Sequence, residues 1–424
     1  MTPIAPAVSE RLAPELPAHR DGNVLRWLAA YTASMVGDSV YYIALSWAAV
    51  QTGTPSQAGL VMAVSAVPRA LLMLGGGVVA DRFGPRRVVI GSDAVRCAAV
   101  LAVAGLLFLT SPGLWPLALL ALVFGAVDAV FMPAVGALPA RLTGRGQLAR
   151  VQGMRGLGIR FASIVGAPLG GLAVAVGGAA AAFALAGLLI AVSVPLLVAV
   201  RMRDLPPDDK AERADGPAGR GGTARRDLVD GLRYIRRHRV LAPLMLAIAL
   251  GDLGFVGPLN VGLTLLADER GWGASGMGWV LAGFGTGAGA VSLLLTLRGR
   301  LPHAGQVAAY AILAGSVAIG ALAFAPGILA AVGTALLIGL LAGLSGALCG
   351  ALLQTQADPA YLGRVTAVSG LVSLGFAPLS MPLSAAAIGA WGTGPVFVVS
   401  AVVCGLGGVV ALSVGDLRRA ELPR

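Results

Sequence analysis

Long apolar runs separated by short polar segments fill most of the 424-residue chain. Each run has roughly 20 residues, the length that a helix needs to cross the hydrocarbon core of a bilayer. Backbone groups in lipid must be paired within their own segment, so we expect every run to be helical. The pattern predicts an all-α polytopic membrane protein with twelve transmembrane helices, at residues 25–50, 58–80, 88–109, 114–138, 151–176, 180–200, 240–266, 276–297, 307–325, 328–353, 365–388 and 396–414.

Charged residues are scarce and unevenly placed. The chain is 57% hydrophobic and 12% charged, whereas a soluble domain carries about 25% charged residues. Nearly all of the 31 Lys and Arg residues flank the termini or the even-to-odd loops, and only Arg270 lies in an odd-to-even loop. Basic loops stay in the cytoplasm, so both termini are predicted to be cytoplasmic. This topology explains the net charge of +11, and we expect no nucleic-acid partner.

No group of residues indicates a cofactor, a metal or an enzyme. The three cysteines all lie inside apolar runs, without zinc-ligand spacing or a disulfide framework. The close glycines of residues 283–287 lie in an apolar span without a lysine, which disfavours a phosphate-binding loop. We expect a cofactor-free monomer in the lipid bilayer. Lys210 is the one lysine in a chain rich in Ala, Gly, Val and Arg, which indicates a bacterial genome and hence the bacterial cytoplasmic membrane.

One long polar stretch, residues 201–239, divides the apolar runs into two sets of six. Residues 204–223 are rich in Pro, Gly and charge, and are predicted to be disordered. Residues 225–237 place Leu228, Leu232 and Ile235 on one helical face among arginines, which predicts an amphipathic helix on the inner membrane surface. The predicted organisation is a cytoplasmic tail (1–24), a six-helix bundle (25–200), this linker (201–239), a second six-helix bundle (240–414) and a cytoplasmic tail (415–424).

The two bundles repeat each other in sequence. Gly37-Asp38 in span 1 corresponds to Gly251-Asp252 in span 7, and residues 148–151 correspond to residues 362–365 at the same offset. Two parallel halves related by an axis along the membrane normal are a known transporter architecture.

The short loop between spans 2 and 3 carries the most specific motif. It resembles the signature of the major facilitator superfamily, in which a glycine, an Asp-Arg pair, a second glycine and two basic residues stand in this loop. The resemblance implies that Asp81 latches the two halves at the cytoplasmic gate, whereas Arg86 and Arg87 are also explained as plain inside anchors. The residues that match are Gly77, Asp81, Arg82, Gly84, Arg86 and Arg87.

Two further segments refine the resemblance. Asp93 and Arg96 in span 3 are spaced for an ion pair one helical step apart, and with this pair the loop is similar to the drug-efflux, macrolide-exporter and siderophore-exporter branches. Span 5 is similar to the glycine-rich motif of the antiporters of this superfamily, although its proline is displaced by one position. Ordinary close packing of small residues is the alternative reading. The residues of this span-5 motif are Gly158, Gly166, Pro168, Gly170 and Gly171.

Four charged residues are predicted at mid-membrane depth. At 1.5 Å per residue, Asp38 and Arg69 lie roughly 18 Å from the inner ends of spans 1 and 2. Asp128 and Asp252 fall near the middle of spans 4 and 7. In the family fold these four spans contribute to the central cavity, so the four residues are candidates for proton coupling and substrate binding. We expect Arg69 to lie between Asp38 and Asp128, with a purely structural ion pair as the alternative.

The predicted function is therefore secondary active export of amphipathic small molecules by proton antiport with alternating access. The spans supply few polar groups beyond the charged layer, which favours lipophilic or cationic substrates over sugars. Two alternatives remain open at this point: an exporter of one endogenous metabolite or siderophore, and a non-transporting membrane receptor with the same fold.

Overall fold

The computed structural model describes residues 17–144, 147–202, 224–298, 303–358 and 361–421. The chain folds into helices that we number in chain order. They are α1 Gly22–Thr52, α2 Pro55–Phe83, α3 Pro85–Leu109, α4 Trp115–Ala137, α5 Pro139–Leu142, α6 Leu148–Ala199, α7 Ala224–Arg237, α8 Leu241–Gly257, α9 Leu263–Glu269, α10 Gly273–Arg298, α11 Ala304–Leu322, α12 Ile328–Gln356, α13 Leu362–Trp391, α14 Thr393–Ser413 and α15 Gly415–Arg418, with one π-helical turn at Pro258–Gly262 between α8 and α9.

Local sequence explains where the first helices end. Thr54 and Gln57 form a capping box that starts α2 directly after α1. Gly84 separates α2 from α3 with φ +83°, a backbone conformation that favours glycine. Within α6, Gly177 and Gly178 depart from helical geometry and divide the helix into two arms. This break falls between the apolar runs predicted as spans 5 and 6.

Among the residues that the structure describes, nine helices are long and apolar enough to cross a membrane. The two arms of α6 count once in this number, and α1 and α2, with 31 and 29 residues, are not among the nine. The protein is an all-α, multi-pass membrane protein, as the apolar runs predict. The count of twelve spans stays a prediction.

The two halves of the chain repeat the same packing. In the first half, α1 packs on α6, α2 on α4 and α3 on α6. In the second half, α8 packs on α13 and α14, α10 on α12, and α11 on α14. Helix α6 begins at Leu148 and α13 at Leu362, which are corresponding positions of the sequence repeat. The repeat is therefore present in the packing as well as in the sequence.

The halves meet along two helix pairs, α6 with α10 and α2 with α13. These contacts use residues without bulky side chains: Gly171 lies against the backbone of Ala274 and Ser275, and Gly59 lies against Met381 and Ala385. Close approach of this kind is typical of helix packing in membranes. Two polar contacts reinforce it near the end of α1. Ser46 bonds Thr264 at 2.5 Å, and Gln51 donates to Asp268 at 2.6 Å.

The linker between the halves is described in part. Residues 203–223, which include the stretch predicted to be disordered, lie outside the described residues. Helix α7 follows at Ala224–Arg237 and packs on the start of α13 and on α8. Ile235 on this helix is 3% exposed, whereas Leu232 is 49% exposed. One side of α7 is thus covered by the protein and another is open.

Candidate functional site

A buried arginine forms the centre of a charge cluster in the first half. Arg96 on α3 is completely buried and donates to Asp93 on the same helix, to Asp38 on α1 at 2.7 Å and to Asp128 on α4 at 3.4 Å. The ring of Phe131 lies 4.0 Å from its guanidinium carbon, within the range of a cation–π contact. Helices α1, α3 and α4 are therefore tied together by one cation.

Asp93 is the most completely satisfied member of the cluster. One of its oxygens accepts from Arg96 and from the Ser34 hydroxyl at 3.1 Å, and the other accepts from Ser193 on the second arm of α6. The residue is 1% exposed. A buried carboxylate with this many donors is fixed in place by its hydrogen bonds.

Asp38 and Asp128 differ from Asp93 because both reach a cavity. This first cavity has a volume of about 170 Å³ and is lined by both carboxylates, by Arg69 and by Tyr42. Asp128 lies 3.8 Å from Arg69 and accepts from Tyr42 at 3.4 Å. Oδ1 of Asp38 is buried and has no hydrogen-bond partner among the described residues. The partner of Asp38 is Arg96, whereas the sequence predicted Arg69.

Asp252 occupies the matching position of the second half in a different environment. Its carboxylate accepts from Ser373 on α13 at 2.5 Å, and no cation pairs with it among the described residues. It lines a second cavity, of about 190 Å³, between α8, α11, α12 and α14. The other lining residues are mainly Ala, Ile and Gly, together with Phe255, Cys349 and Cys404. This cavity combines one carboxylate with an apolar wall.

A helical irregularity lies close to this second cavity. The π-helical turn at Pro258–Gly262 interrupts the segment that begins with α8, and such single turns are frequent at functional sites. Ser380 on α13 supports the interruption, because its hydroxyl accepts from the Gly257 amide at 2.9 Å and donates to the Leu253 carbonyl at 3.1 Å. Asn260 is exposed on the turn. The other residues of the turn, Pro258, Leu259, Val261 and Gly262, are buried.

The loop between α2 and α3 places its basic residues differently from one another. Arg86 donates to the carbonyls of Leu197 and Val198 at the end of α6, at 3.3 and 2.5 Å. Arg82 lies 5.8 Å from the ring of Phe83. Arg87 is exposed. Gly77 lies within α2, and the side chain of Asp81 lies outside the part of the chain that the structure describes, so its latch role stays a prediction.

The span-5 glycines face two different neighbours. Gly158, Gly166 and Gly170 lie against α1, whereas Gly171 lies against the start of α10. Pro168, within α6, lies against Gly278 of α10. The motif therefore packs one arm of α6 against the core of its own half and against the other half at once.

Arg160 is an exposed cation on the same arm of α6. It stands 12 residues after the start of α6 at Leu148, a rise of about 18 Å. Ile164, one turn further on, lies against Gly285 of α10, so Arg160 is on the stripe that faces the other half. No salt bridge to it occurs among the described residues. A charged side chain at membrane depth is expected to face water or a ligand rather than lipid.

Sequence reasoning identified most of these charges and the Asp93–Arg96 pair, but it missed the contacts that join this pair to the cavity carboxylates. It paired Arg96 with Asp93 within span 3, whereas the structure also places this residue beside Asp38 and Asp128. The hydroxyls of Ser193 and Ser373 were not among the candidates, because serine inside an apolar helix has no distinguishing pattern. Among the described residues, no group of three or more His, Cys, Asp or Glu side chains is arranged to hold a metal ion.

The fold is similar to that of solved transporters. A bacterial homologue of the human lysosomal transporter Spinster, in an inward-facing and occupied conformation, matches with a TM-score of 0.72 at 12% identity, covering 93% of this chain and 96% of that one. A D-xylose–proton symporter matches with a TM-score of 0.70 at 14% identity, covering 94% and 99%. At these identities the likeness shows the fold alone.

Sequence comparison identifies the family. The chain is 26% identical over 321 residues to the enterobactin exporter EntS of Shigella boydii serotype 18 and of Escherichia coli strain SMS-3-5, covering 74% of this chain and 73% of each relative. The model of the Major Facilitator Superfamily matches residues 27–377. The chain therefore belongs to the Major Facilitator Superfamily and is a multi-pass membrane transporter, similar to siderophore exporters, rather than an enzyme.

Proposed function

We propose that this transporter exports amphipathic small molecules from a bacterial cell by proton antiport. It acts as a monomer in the cytoplasmic membrane, with six-helix bundles at residues 25–200 and 240–414, linker 201–239, and cytoplasmic tails at 1–24 and 415–424. The observation that carries the proposal is a pair of membrane-depth cavities, one in each half, each with a carboxylate that reaches it. Carboxylates at this depth are typical of proton relays and substrate pathways.

The first cavity has the groups that proton exchange needs. The cluster contains three carboxylates, Asp38, Asp93 and Asp128, and two cations, Arg69 and Arg96. When all are ionised the sum is 2 − 3 = −1, so one proton neutralises the cluster. Asp93 is fully bonded, which leaves Asp38 and Asp128, the two that face the cavity, to carry that proton. The unpaired Oδ1 of Asp38 favours Asp38 as the first acceptor.

The second cavity suits the apolar part of a substrate. Its wall is apolar except for Asp252 and a few small groups. A lipophilic ammonium group would supply the cation that Asp252 lacks, and a proton would supply it when the substrate is absent. Competition between proton and substrate for one carboxylate is the physical basis of antiport.

The contacts between the halves bear on which side of the membrane this conformation opens to. Ser46–Thr264 and Gln51–Asp268 close the end of the bundle where α1 finishes, which is the outer end in the predicted topology. We infer that this conformation is open to the cytoplasm. Asp81 is proposed to latch the inner end when rocking closes it.

The proposal is tested by separating driven transport from binding. Efflux of ethidium from a pump-deficient host, and energy-independent exchange of ethidium in proteoliposomes, would be measured for Asp38→Asn, Asp128→Asn and Asp252→Asn. A coupling carboxylate, once neutralised, should lose proton-driven efflux and retain exchange. Asp416→Asn, at an exposed site on α15, is the matched control and should retain both proton-driven efflux and exchange. Normal proton-driven efflux by all three cavity variants would overturn proton antiport through these groups.

Export of one anionic metabolite, such as a siderophore, is the second candidate function. Arg160 and Arg69 favour it, because both are cations at membrane depth that are at least partly exposed. The similarity to enterobactin exporters supports it as well. The same assay with enterobactin in place of ethidium distinguishes the two candidates. Transport of enterobactin alone would establish the specific exporter.

A further inference from the structure

Helix α7 fixes the start of α13 through a dedicated set of contacts. The rings of Tyr234 and Tyr361 stack with centroids 4.4 Å apart and planes 4° from parallel. The Tyr234 hydroxyl accepts from the Asp358 amide at 3.1 Å, and Gly231 approaches the Arg364 backbone closely. Because α13 begins at Leu362, these contacts lie on both sides of its first residue. A displacement of α7 would therefore move the N-terminal end of α13.

The opposite side of α7 is open and has a mixed character. Val229 is 47% and Leu232 49% exposed, and Arg233 and Arg236 beside them are exposed as well. At 100° per residue, these four side chains fall within one face of about 100°, away from Gly231, Tyr234 and Ile235. Apolar side chains flanked by arginines on one face are characteristic of helices that lie in a membrane interface.

The charge of this segment selects the kind of surface it would meet. From Val229 to Arg239 the described residues carry four arginines against Asp230 as the one carboxylate. The Arg233–Asp230 contact is long, at 3.9 Å, and exposed, so Arg233 remains available. Arginine is suited to phosphate because its guanidinium donates two parallel hydrogen bonds. The two exposed apolar residues, Val229 and Leu232, lie beside an excess of arginines. A soluble protein partner would not require this combination, whereas a lipid surface with negative headgroups does.

We propose that the exposed face of α7, formed by Val229, Leu232, Arg233 and Arg236, binds anionic phospholipid headgroups at the membrane surface. Helix α7 thereby anchors the N-terminal end of α13 to the lipid. The apolar pair enters the interface and the arginines contact phosphate oxygens. Helix α13 also makes the contact with α2 that joins the halves.

The contact is tested without any assumption about substrate. A spin label at Leu232→Cys, in a chain whose three cysteines are replaced by alanine, would be reconstituted with phosphatidylglycerol or with phosphatidylcholine. The label should be accessible to oxygen and protected from an aqueous nickel reagent in phosphatidylglycerol. Arg233→Gln and Arg236→Gln should each weaken this protection by about five-fold. Arg237→Cys, exposed on another side of α7, is the control and should be accessible to the nickel reagent in both lipids.

Hydrogen exchange of the unmodified protein provides an independent measurement. Residues 224–237 should exchange more slowly in phosphatidylglycerol nanodiscs than in phosphatidylcholine nanodiscs. Equal aqueous access of the labels at Leu232 and Arg237, or equal exchange in the two lipids, would overturn the proposal. Protection of Leu232 that is independent of lipid and grows with protein concentration would assign the face to a second copy of the chain instead.

Discussion

The two halves of this transporter place a carboxylate at corresponding positions and surround it in opposite ways. Asp38 in the first half is bonded to a completely buried arginine and belongs to a five-residue charge cluster. Asp252 in the second half has a serine hydroxyl and an otherwise apolar cavity. The cavities are of similar size, about 170 and 190 Å³. The repeat has kept the position of the acid and changed its hydrogen-bond and ion-pair partners.

This difference is the basis for assigning different tasks to the two halves. An acid held by a buried arginine is costly to remove, because its partner is then left without compensation. An acid that is hydrogen-bonded to a hydroxyl can be replaced without leaving a buried charge unpaired. We therefore propose that the first half combines structure with proton exchange and that the second half serves substrate binding. Two substitutions test this division and a third tests the contact between the halves, in order from the largest expected effect to the smallest.

Arg96→Gln is expected to have the largest effect. It removes the cation that three carboxylates share, and a buried ion pair that loses one partner typically loses about 3–5 kcal/mol. The free energy of unfolding, measured by titration with a denaturing detergent in mixed micelles, should fall by that amount. Arg26→Gln, at an exposed arginine on α1, should have almost no effect. A loss for Arg96→Gln no larger than this control would show that the cluster does not hold the first half together.

Asp252→Asn is expected to change stability much less. The amide can still accept from Ser373, and no buried cation is left unpaired among the described residues. We expect a change in the free energy of unfolding of less than about 1 kcal/mol, the size of one hydrogen bond. The same titration would measure it beside Asp38→Asn, which does separate an acid from Arg96. If Asp252→Asn destabilises the protein as much as Asp38→Asn, the two halves do not differ in the proposed way.

The sequence predicted the helices better than it predicted the site. Apolar length alone placed span 4 at 114–138, and α4 runs Trp115–Ala137. The gap between spans 5 and 6 matched the break at Gly177 and Gly178. Depth along one helix also follows from sequence, because each residue adds a fixed rise. The rotation of a helix about its own axis, and the identity of the helices that pack against it, do not follow from its sequence in this way. Asp38 was therefore paired with Arg69, although Arg96 of α3 is the arginine that reaches it.

Ser46→Ala is expected to have the smallest effect, on the balance of conformations. The Thr264 hydroxyl donates to the Asn260 carbonyl at 3.2 Å, so its oxygen accepts from Ser46 across the interface between the halves. Both residues are buried, and the bond exists only while this end is closed. Losing one hydrogen bond of about 1 kcal/mol should raise the population open at this end by about five-fold.

Distances between spin labels in the loops of opposite halves at this end, at Ser111→Cys and Pro326→Cys in the cysteine-free chain, would report that population. Ser316→Ala is the matched control, since the Ser316 hydroxyl is also buried and, among the described residues, donates to the Leu313 carbonyl of its own helix and to no other group. The control should leave the distance distribution unchanged, because its bond is present in every conformation. If Ser46→Ala also leaves it unchanged, the Ser46–Thr264 bond does not contribute to closure, and the close helix contacts at Gly59 and Gly171 hold this end together by themselves.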